Sequence, residues 1–237
     1  MTTWTRHLYE HDPLAIAKGE SNYLSVRNIF GYQENVTTSF IPAWEYATAY
    51  TYPTSAVTMD VASTDTVNDN GYTVRIIGLD ANYNIISEDV TIPATTTKAF
   101  FRINDVLYFN TDGNQGLITV SNGGTVYAAI RIGDGRNQAS IYTVPAGHCF
   151  YLYRIDAFSN DSASSKTGVF KNFTINSSGH TFSVARTTFQ NQMNIQRRLP
   201  FKYDEKTDIQ FQLKTKSGTH EMNVFGEGVL VNEGLDD

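Results

Sequence analysis

The stretch Tyr72–Ile92, with the sequence YTVRIIGLDANYNIISEDVTI, decides the fold class. Val74 and Ile76 alternate with Arg75, which is the period of two expected where one face of a strand is buried. The segment Asp80–Asn84 is rich in the Asp and Asn residues that favour tight turns. Two apolar runs on either side of such a segment predict a β-hairpin.

Similar signals continue along the rest of the chain. Short runs rich in Val, Ile, Thr, Tyr and Phe are separated by turn residues at intervals of roughly eight to twelve residues, which is typical of sandwiches and barrels. Only Ile41–Tyr50 has weak helical character, with Pro42 acceptable at a first helical position. We therefore predict an all-β protein with a β-sandwich or jelly-roll architecture. Further strands are predicted at Val57–Ala62, Ala99–Phe109, Leu117–Ser121, Val126–Ile132, Ala139–Val144, Phe150–Ser159, Val169–Ile175, Thr181–Thr187, Asp208–Thr215 and Met222–Val231.

The domain organisation is indicated by clusters of turn residues. Such residues concentrate at Gly133–Asn137 and again at Tyr142–Gly147, and a new series of strands begins between the two clusters. This pattern predicts two β units, 22–140 and 141–237, the second being a sandwich or jelly-roll unit with a short acidic tail. A single interleaved jelly roll is the alternative.

Residues 1–21 form a predicted N-terminal arm, because they sustain neither the helical nor the strand period. Its apolar side chains would promote association if they stayed in solvent. We expect them to dock either on the chain's own domain or on a neighbouring subunit or the capsid surface. These contact residues are Trp4, Leu8, Tyr9, Leu14 and Ile16.

The composition limits the possible partners. Lys and Arg number 18 against 24 Asp and Glu, giving a net charge of -6 at pH 7, so we expect no nucleic-acid partner, which would require clustered cations. No apolar run of about eighteen residues and no leader-like start occurs, so we expect a soluble protein with no membrane partner. Charged residues make up only 18%, and the polar uncharged surface that results favours contacts with other proteins.

The sequence offers no recognisable catalytic apparatus. We predict no catalytic residues, no cofactor, no metal site and no small-molecule substrate. His7 and His11 have the spacing of metal ligands on a helix, but the arm has no helical pattern. Cys149 is the single cysteine and reads as a small buried hydrophobe. Asp80 begins a calcium-like pattern that lacks the later ligands, and the acidic segment Asp204–Asp208 is interpreted as a turn.

Several segments resemble structural proteins of tailed phages that infect marine and freshwater bacteria. The resemblance extends over most of the chain in short pieces. The segments are Ala15–Gly19 (AIAKG), Tyr50–Thr54 (YTYPT), Ile76–Asn84 (IIGLDANYN), Tyr142–Gly147 (YTVPAG) and Pro200 through Lys206–Ile209.

The resemblance implies a non-enzymatic head decoration or cement protein. Such a protein binds the major capsid protein on the outer surface of the phage head, is assembled in the host cytoplasm, and is expected to be a homotrimer on a local symmetry axis. Two alternatives remain at this stage. One is a tail, baseplate or adhesin module that binds a host surface glycan, and the other is a β-sandwich enzyme acting on polysaccharide.

A candidate subunit interface follows from composition. Arg197 and Arg198 adjoin Leu199 and Phe201, and Arg together with apolar and aromatic residues is enriched at protein interfaces. The alternative is a loop in which Leu199 and Phe201 fill the core of their own domain.

Overall fold

The computed structural model describes residues 13–21, 24–160 and 167–233. In these residues a short helix precedes sixteen β-strands, and the paired strands are antiparallel, so the predicted all-β class is confirmed. The elements are α1 (Pro13–Ala17), β1 (Leu24–Val36), β2 (Ile41–Pro42), β3 (Asp60–Ser63), β4 (Thr73–Leu79), β5 (Ile85–Thr91), β6 (Ala94–Thr95), β7 (Arg102–Phe109), β8 (Ile118–Asn122), β9 (Thr125–Ile130), β10 (Ile141–Thr143), β11 (His148–Ser159), β12 (Thr167–Ile175), β13 (Thr181–Gln190), β14 (Gln192–Tyr203), β15 (Asp208–Thr215) and β16 (His220–Asn232). Within this part of the chain, no helix is long and apolar enough to cross a membrane.

The predicted hairpin is confirmed as β4 and β5, which pair from Thr73↔Thr91 to Leu79↔Ile85. The carboxylate of Asp80 accepts hydrogen bonds from the backbone N–H groups of Asn82 and Asn84 at 2.8 and 2.9 Å. These bonds hold the turn together with the backbone bonds from the Asp80 N–H to the Asn84 carbonyl and from the Tyr83 N–H to the Asp80 carbonyl, both 3.0 Å. The same carboxylate is thereby occupied as a turn cap, which agrees with the turn interpretation of this segment.

The first of two β units is made of residues 24–42, 141–160 and 167–233, and we call it the terminal unit. Its first layer has the strand order β1-β16-β11-β14, and its second layer joins β13, β12 and β15, with β2 and β10 both pairing with β15. The layers are linked through β13 and β14, which pair only at Gln190 and Gln192. The intervening Asn191 has a φ of 58°, a left-handed conformation that Asn tolerates.

The two layers of the terminal unit pack face to face around one apolar core. A Cβ atom added to Gly226 of β16 would lie 2.5 Å from the ring of Phe211 on β15, so only glycine lets the layers approach this closely. Burial in this core follows the strand period of two. Among its fully buried side chains are Val36, Phe150, Leu152, Phe170, Phe211 and Val224.

The second unit is residues 43–140, and we call it the inserted unit. One of its sheets has the order β6-β3-β8-β9 and the other the order β5-β4-β7. A separate core lies between them and includes Met59, Ile76, Phe100, Val106, Ile118 and Ile130. Each unit therefore has the two-layer construction that lets a sheet bury its apolar face.

The two ends of the inserted unit lie side by side on β15. The N–H of Ser140 donates to the carbonyl of Ala43 at 2.8 Å, and both residues hydrogen bond to the backbone of Phe211. A domain whose ends meet in this way can interrupt another domain without disturbing its sheets.

This arrangement corrects the predicted boundaries. The predicted unit 22–140 ends where the inserted unit ends, but its first strands belong elsewhere, because β1 pairs with β16 from Leu24↔Val231 onward. The weak helix predicted at Ile41–Tyr50 is wrong, since β2 occupies Ile41–Pro42 and the following residues are irregular. Strand β14 was not predicted either.

Candidate interaction surfaces

The predicted subunit interface lies on β14, at an irregular point of the first layer. Strand β11 pairs Leu152 with Phe201 and Arg154 with Gln196. Residues 197–200 therefore stand opposite Tyr153 alone and leave the ladder as a β-bulge. We call residues 197–200 the β14 bulge. Among the described residues, β14 pairs beyond β11 only at Gln192, so the bulge lies at the edge of the first layer.

The β14 bulge presents apolar and cationic side chains to solvent. Leu199 is 77% exposed, so it does not fill the core of its own domain. Phe201 does pack partly against that core. The guanidinium of Arg197 lies 3.9 Å from the Phe201 ring centroid, and its Nε donates to the carbonyl of Leu199 at 3.1 Å. Leu199 faces outward, as a subunit interface would require. Phe201 faces inward, as expected for a residue that fills the core of its own domain.

Two of the five predicted contact residues of the arm, Leu14 and Ile16, lie in the described part of the chain. Trp4, Leu8 and Tyr9 lie outside the described residues. Leu14 is 59% exposed on α1, whereas Ile16 is buried where α1 contacts β1. The burial of Ile16 favours docking of this residue on the chain's own domain over docking on a partner.

A buried ion pair joins the two units. Arg102 on β7 of the inserted unit makes two parallel hydrogen bonds to Asp208 on β15, at 2.9 and 3.0 Å. Both side chains are less than one tenth exposed. Thr143 donates to the same carboxylate at 2.6 Å, and Arg102 also donates to the carbonyls of Pro53 and Phe101. The buried charges are therefore extensively hydrogen bonded, as burial in a protein interior requires.

Aromatic rings complete the surroundings of Arg102. Its guanidinium carbon lies 4.1 Å from the ring centroid of Phe101 and 4.6 Å from that of Tyr52. A planar guanidinium stacks favourably on such rings. This site fixes the position of one unit relative to the other and is fully occupied by its own groups, so we assign it a structural role.

A cleft of about 240 Å³ lies between the two units. Its polar lining includes Arg27, Asn104, Asp105, Arg136 and Tyr142. Arg136 binds Asp105 through two hydrogen bonds of 2.9 and 2.7 Å, so this carboxylate is neutralised by its neighbour. Burial raises the pKa of the Tyr142 phenol to about 12. The cleft thus offers hydrogen-bond donors to a ligand rather than a free acid or base.

The other described side chains considered for catalysis or metal binding are buried or take part in contacts within the folded chain. Burial raises the pKa of the Cys149 thiol to about 12, which suppresses the thiolate that a nucleophile requires. The neighbouring ring of His148 contacts the carbonyl of Ala146 at 2.8 Å. Glu205 accepts a hydrogen bond from the N–H of Gly147 at 2.7 Å. Over residues 13–21, 24–160 and 167–233, no group of three His, Cys, Asp or Glu side chains is arranged to hold a metal ion. His7 and His11 lie outside these ranges.

Glu45 lies near the start of the inserted unit, and the pKa of its carboxyl is strongly shifted by its surroundings. Burial is the main cause and repulsion from Asp134 the second, and together they raise the pKa of Glu45 to about 7. Its Oε1 accepts a hydrogen bond from the N–H of Arg131 at 3.3 Å. The neutral form of Glu45 is therefore favoured in the folded protein.

We expect the unfolding free energy to fall as the pH rises from about 4.5 to about 7, because in this window the folded Glu45 retains a proton that the unfolded chain releases. After allowance for its partial exposure, the loss should be about 1–2 kcal/mol. Urea unfolding at a series of pH values measures it. Glu45→Gln should remove this loss. The control Glu88→Gln should leave it unchanged, because hydrogen bonds from Thr97 and Lys98 lower the pKa of Glu88 despite the opposing effect of burial. Parallel pH profiles for wild type and Glu45→Gln would contradict the assignment.

No family model matches the sequence, and no curated protein matches it. Among solved structures, the chain is similar to the infectious bursal disease virus VP2 subviral particle, with a TM-score of 0.26 and 10% identity over 90% of this chain and 73% of that chain. It is also similar to T=1 particles derived from infectious bursal virus (TM-score 0.23, 8% identity, 90% and 71% covered). The Gx strain of infectious bursal disease virus gives a TM-score of 0.23 at 11% identity, with 90% and 72% covered. Likeness at these TM-scores carries no argument about function.

Proposed function

We propose that this protein is a non-enzymatic structural component of a tailed-phage virion, and specifically a decoration or cement protein that binds the shell of major capsid protein from outside. The observation that carries the proposal is the strand order of the terminal unit. When β10 is set aside and the other eight strands of this unit are numbered along the chain, the layers read 1-8-3-6 and 2-7-4-5, an order that supports a jelly roll. Jelly rolls recur in viral capsid and lectin domains, and this analogy at the level of the fold supports a structural role in a virion.

The surface features supply the physical basis for shell binding. The β14 bulge exposes Leu199 beside two arginines on a strand edge that has no partner in the described chain. A small apolar centre flanked by arginine is a favourable composition for an interface. The buried pair of Arg102 and Asp208 keeps both units in one orientation. When one unit binds the shell, the position of the other unit is therefore fixed as well. We further propose that three copies associate around a local symmetry axis, with assembly in the host cytoplasm.

The experiment is co-sedimentation of the purified protein with undecorated phage shells. We expect wild type to bind and the double variant Arg198→Glu, Leu199→Asp to bind at least about 30-fold more weakly, which corresponds to about 2 kcal/mol at a central interface residue. Val67 is 85% exposed on the inserted unit, so Val67→Asp controls for placing an acid at an exposed apolar position and should bind as wild type does.

Three results would count against this proposal. The first is a failure of wild type to sediment with shells, and the second is undiminished binding by the bulge variant. The third is equal weakening by Val67→Asp, since it would show that added negative charge alone weakens attachment. Circular dichroism spectra of all three proteins establish that each is folded.

A second candidate function, a tail or adhesin module that binds a host surface glycan, is favoured by one observation. The cleft between the units is lined by Arg27, Asn104 and Arg136, whose donors suit sugar hydroxyl or carboxylate groups. Jelly rolls also occur in lectins. Binding of purified host polysaccharide, lost in Arg136→Met and accompanied by no affinity for shells, would favour this function over the first.

A further inference from the structure

Three cations converge on a single phenyl ring on the outer face of the second layer. The Lys171 Nζ on β12 lies 4.4 Å from the ring centroid of Phe40, and the Lys214 Nζ on β15 lies 5.0 Å from it. The guanidinium carbon of Arg186 on β13 lies 5.1 Å from the same point. We call these four residues the Phe40 cluster. Lys171 and Lys214 alternate with core residues such as Phe170 and Leu213, which places the cations on the outer face.

The positive charge of the Phe40 cluster is not balanced within the described chain. The ion pairs formed by the described residues involve none of its three cations. Lys171 and Arg186 are directly opposite each other in the ladder between β12 and β13, and like charges in that position destabilise a sheet. Burial, and secondly Arg186, lower the pKa of Lys171. Such a cluster is notable in a chain with a net charge of -6.

The cations are close enough to act together. Since each lies about 5 Å from one centroid, any two are separated by no more than about 10 Å, which is one Debye length at 0.1 M salt. The ring of Phe40, and that of Phe173 at 5.0 Å from Lys171, attract the cations and limit their freedom. A ligand that binds here therefore has less side-chain entropy to remove.

The geometry narrows the class of ligand. The three cations are at least partly exposed and come from three adjacent strands, which suits an extended ligand with several negative groups better than a single small anion. A nucleic acid needs a longer track of cations, and the rest of this acidic chain would repel it. A sugar would stack on an uncovered ring, whereas cations approach the ring of Phe40. A short protein segment with two or three carboxylates matches three cations in number and reach.

We propose that the Phe40 cluster binds an acidic segment of a partner protein, with carboxylates placed on Lys171, Arg186 and Lys214. The proposal rests on the proposed function in one respect, because a neighbouring virion protein would supply the segment. The contact is separate from the β14 bulge, which lies on a different strand of the other layer.

The test uses a fluorescein-labelled octapeptide containing three Glu residues, and the same peptide with Gln in their place. We expect the Glu peptide to bind in a salt-dependent manner by fluorescence anisotropy and the Gln peptide not to bind. The double variant Lys171→Met, Lys214→Met should bind about tenfold more weakly, as expected for two exposed ion pairs. The control Lys18→Met, Lys98→Met removes two exposed cations elsewhere and should bind as wild type does.

A second measurement shows that the variant is folded and that the cations repel each other. Lys171→Met should raise the Tm of the free protein by about 1–2 °C, since it removes one member of a like-charged pair. Absence of Glu-peptide binding, or equal weakening by the control, would overturn the proposal. If an eight-residue thymidine oligonucleotide or a sulfated oligosaccharide bound more tightly than the Glu peptide, the proposal that the ligand is a protein segment would be overturned. Co-sedimentation of wild type with phage shells is measured separately. Its failure would count against the proposed function, whereas a failure of Glu-peptide binding would count against the role of the Phe40 cluster.

Discussion

Replacement of Arg102 by Met is expected to lower the unfolding free energy by about 3–5 kcal/mol, the usual cost of leaving one partner of a buried ion pair unpaired. Asp208 would keep the hydrogen bond from Thr143 but lose both bonds from the guanidinium. The aromatic contacts of Arg102 with Tyr52 and Phe101 would also weaken. Urea unfolding followed by fluorescence measures the change.

A matched control exists on the surface of the inserted unit. Arg75 binds Asp89 with the same two-bond geometry, at 2.6 and 2.8 Å, but both side chains are nearly half exposed. Arg75→Met should therefore cost less than about 1 kcal/mol. The double variant Arg102→Met, Asp208→Leu should recover much of the lost stability, because no charge remains buried. Equal losses in Arg102→Met and Arg75→Met would contradict the structural role of this junction.

Replacement of Phe211 by Ala is expected to cost about 3–5 kcal/mol. Its ring is fully buried between the layers of the terminal unit and lies against Gly226 and Phe170. In wild type, Gly226→Ala should itself cost about 1–3 kcal/mol, because its new Cβ would overlap the Phe211 ring.

The two substitutions should be strongly coupled. In the Phe211→Ala background the overlap with the ring is gone and the next closest atom is the Leu152 Cδ1 at 3.2 Å, the end of a flexible side chain. The added methyl group also fills part of the cavity, so Gly226→Ala should become neutral or stabilising. A double-mutant cycle by urea unfolding measures this coupling. Phe158→Ala, at a phenylalanine that is 44% exposed, controls for the loss of a ring and should cost little. Additive effects of Phe211→Ala and Gly226→Ala would show that the layers do not meet as described.

The sequence predicts well those features whose causes are local. The hairpin of β4 and β5 has both its period of two and the Asp80 turn cap within twenty-one residues. The end of the inserted unit near residue 140 coincides with a visible cluster of turn residues. The all-β class follows from many such signals added together.

Features that depend on distant pairing could not be predicted from the sequence. The partner of β1 is β16, at the other end of the described chain, and Arg102 and Asp208 are 106 residues apart. Strand β14 was hidden because the bulge at residues 197–200 interrupts the alternation that identifies a strand. The Phe40 cluster draws its cations from three different strands, so no segment of sequence contains it. The composition of residues 197–201 left open whether Leu199 and Phe201 face a partner or their own core, and only the structure separates the exposed Leu199 from the partly buried Phe201.

We propose that this chain decorates the head of a virion, and a low-resolution electron cryomicroscopy reconstruction of the virus particles that contain the chain tests this proposal most directly. We expect many regularly spaced copies on the outer surface of the shell, grouped in threes around local symmetry axes, with the β14 bulge in contact with the shell. A shell that lacks this density, or density for the chain confined to a few copies at the tail, would contradict it.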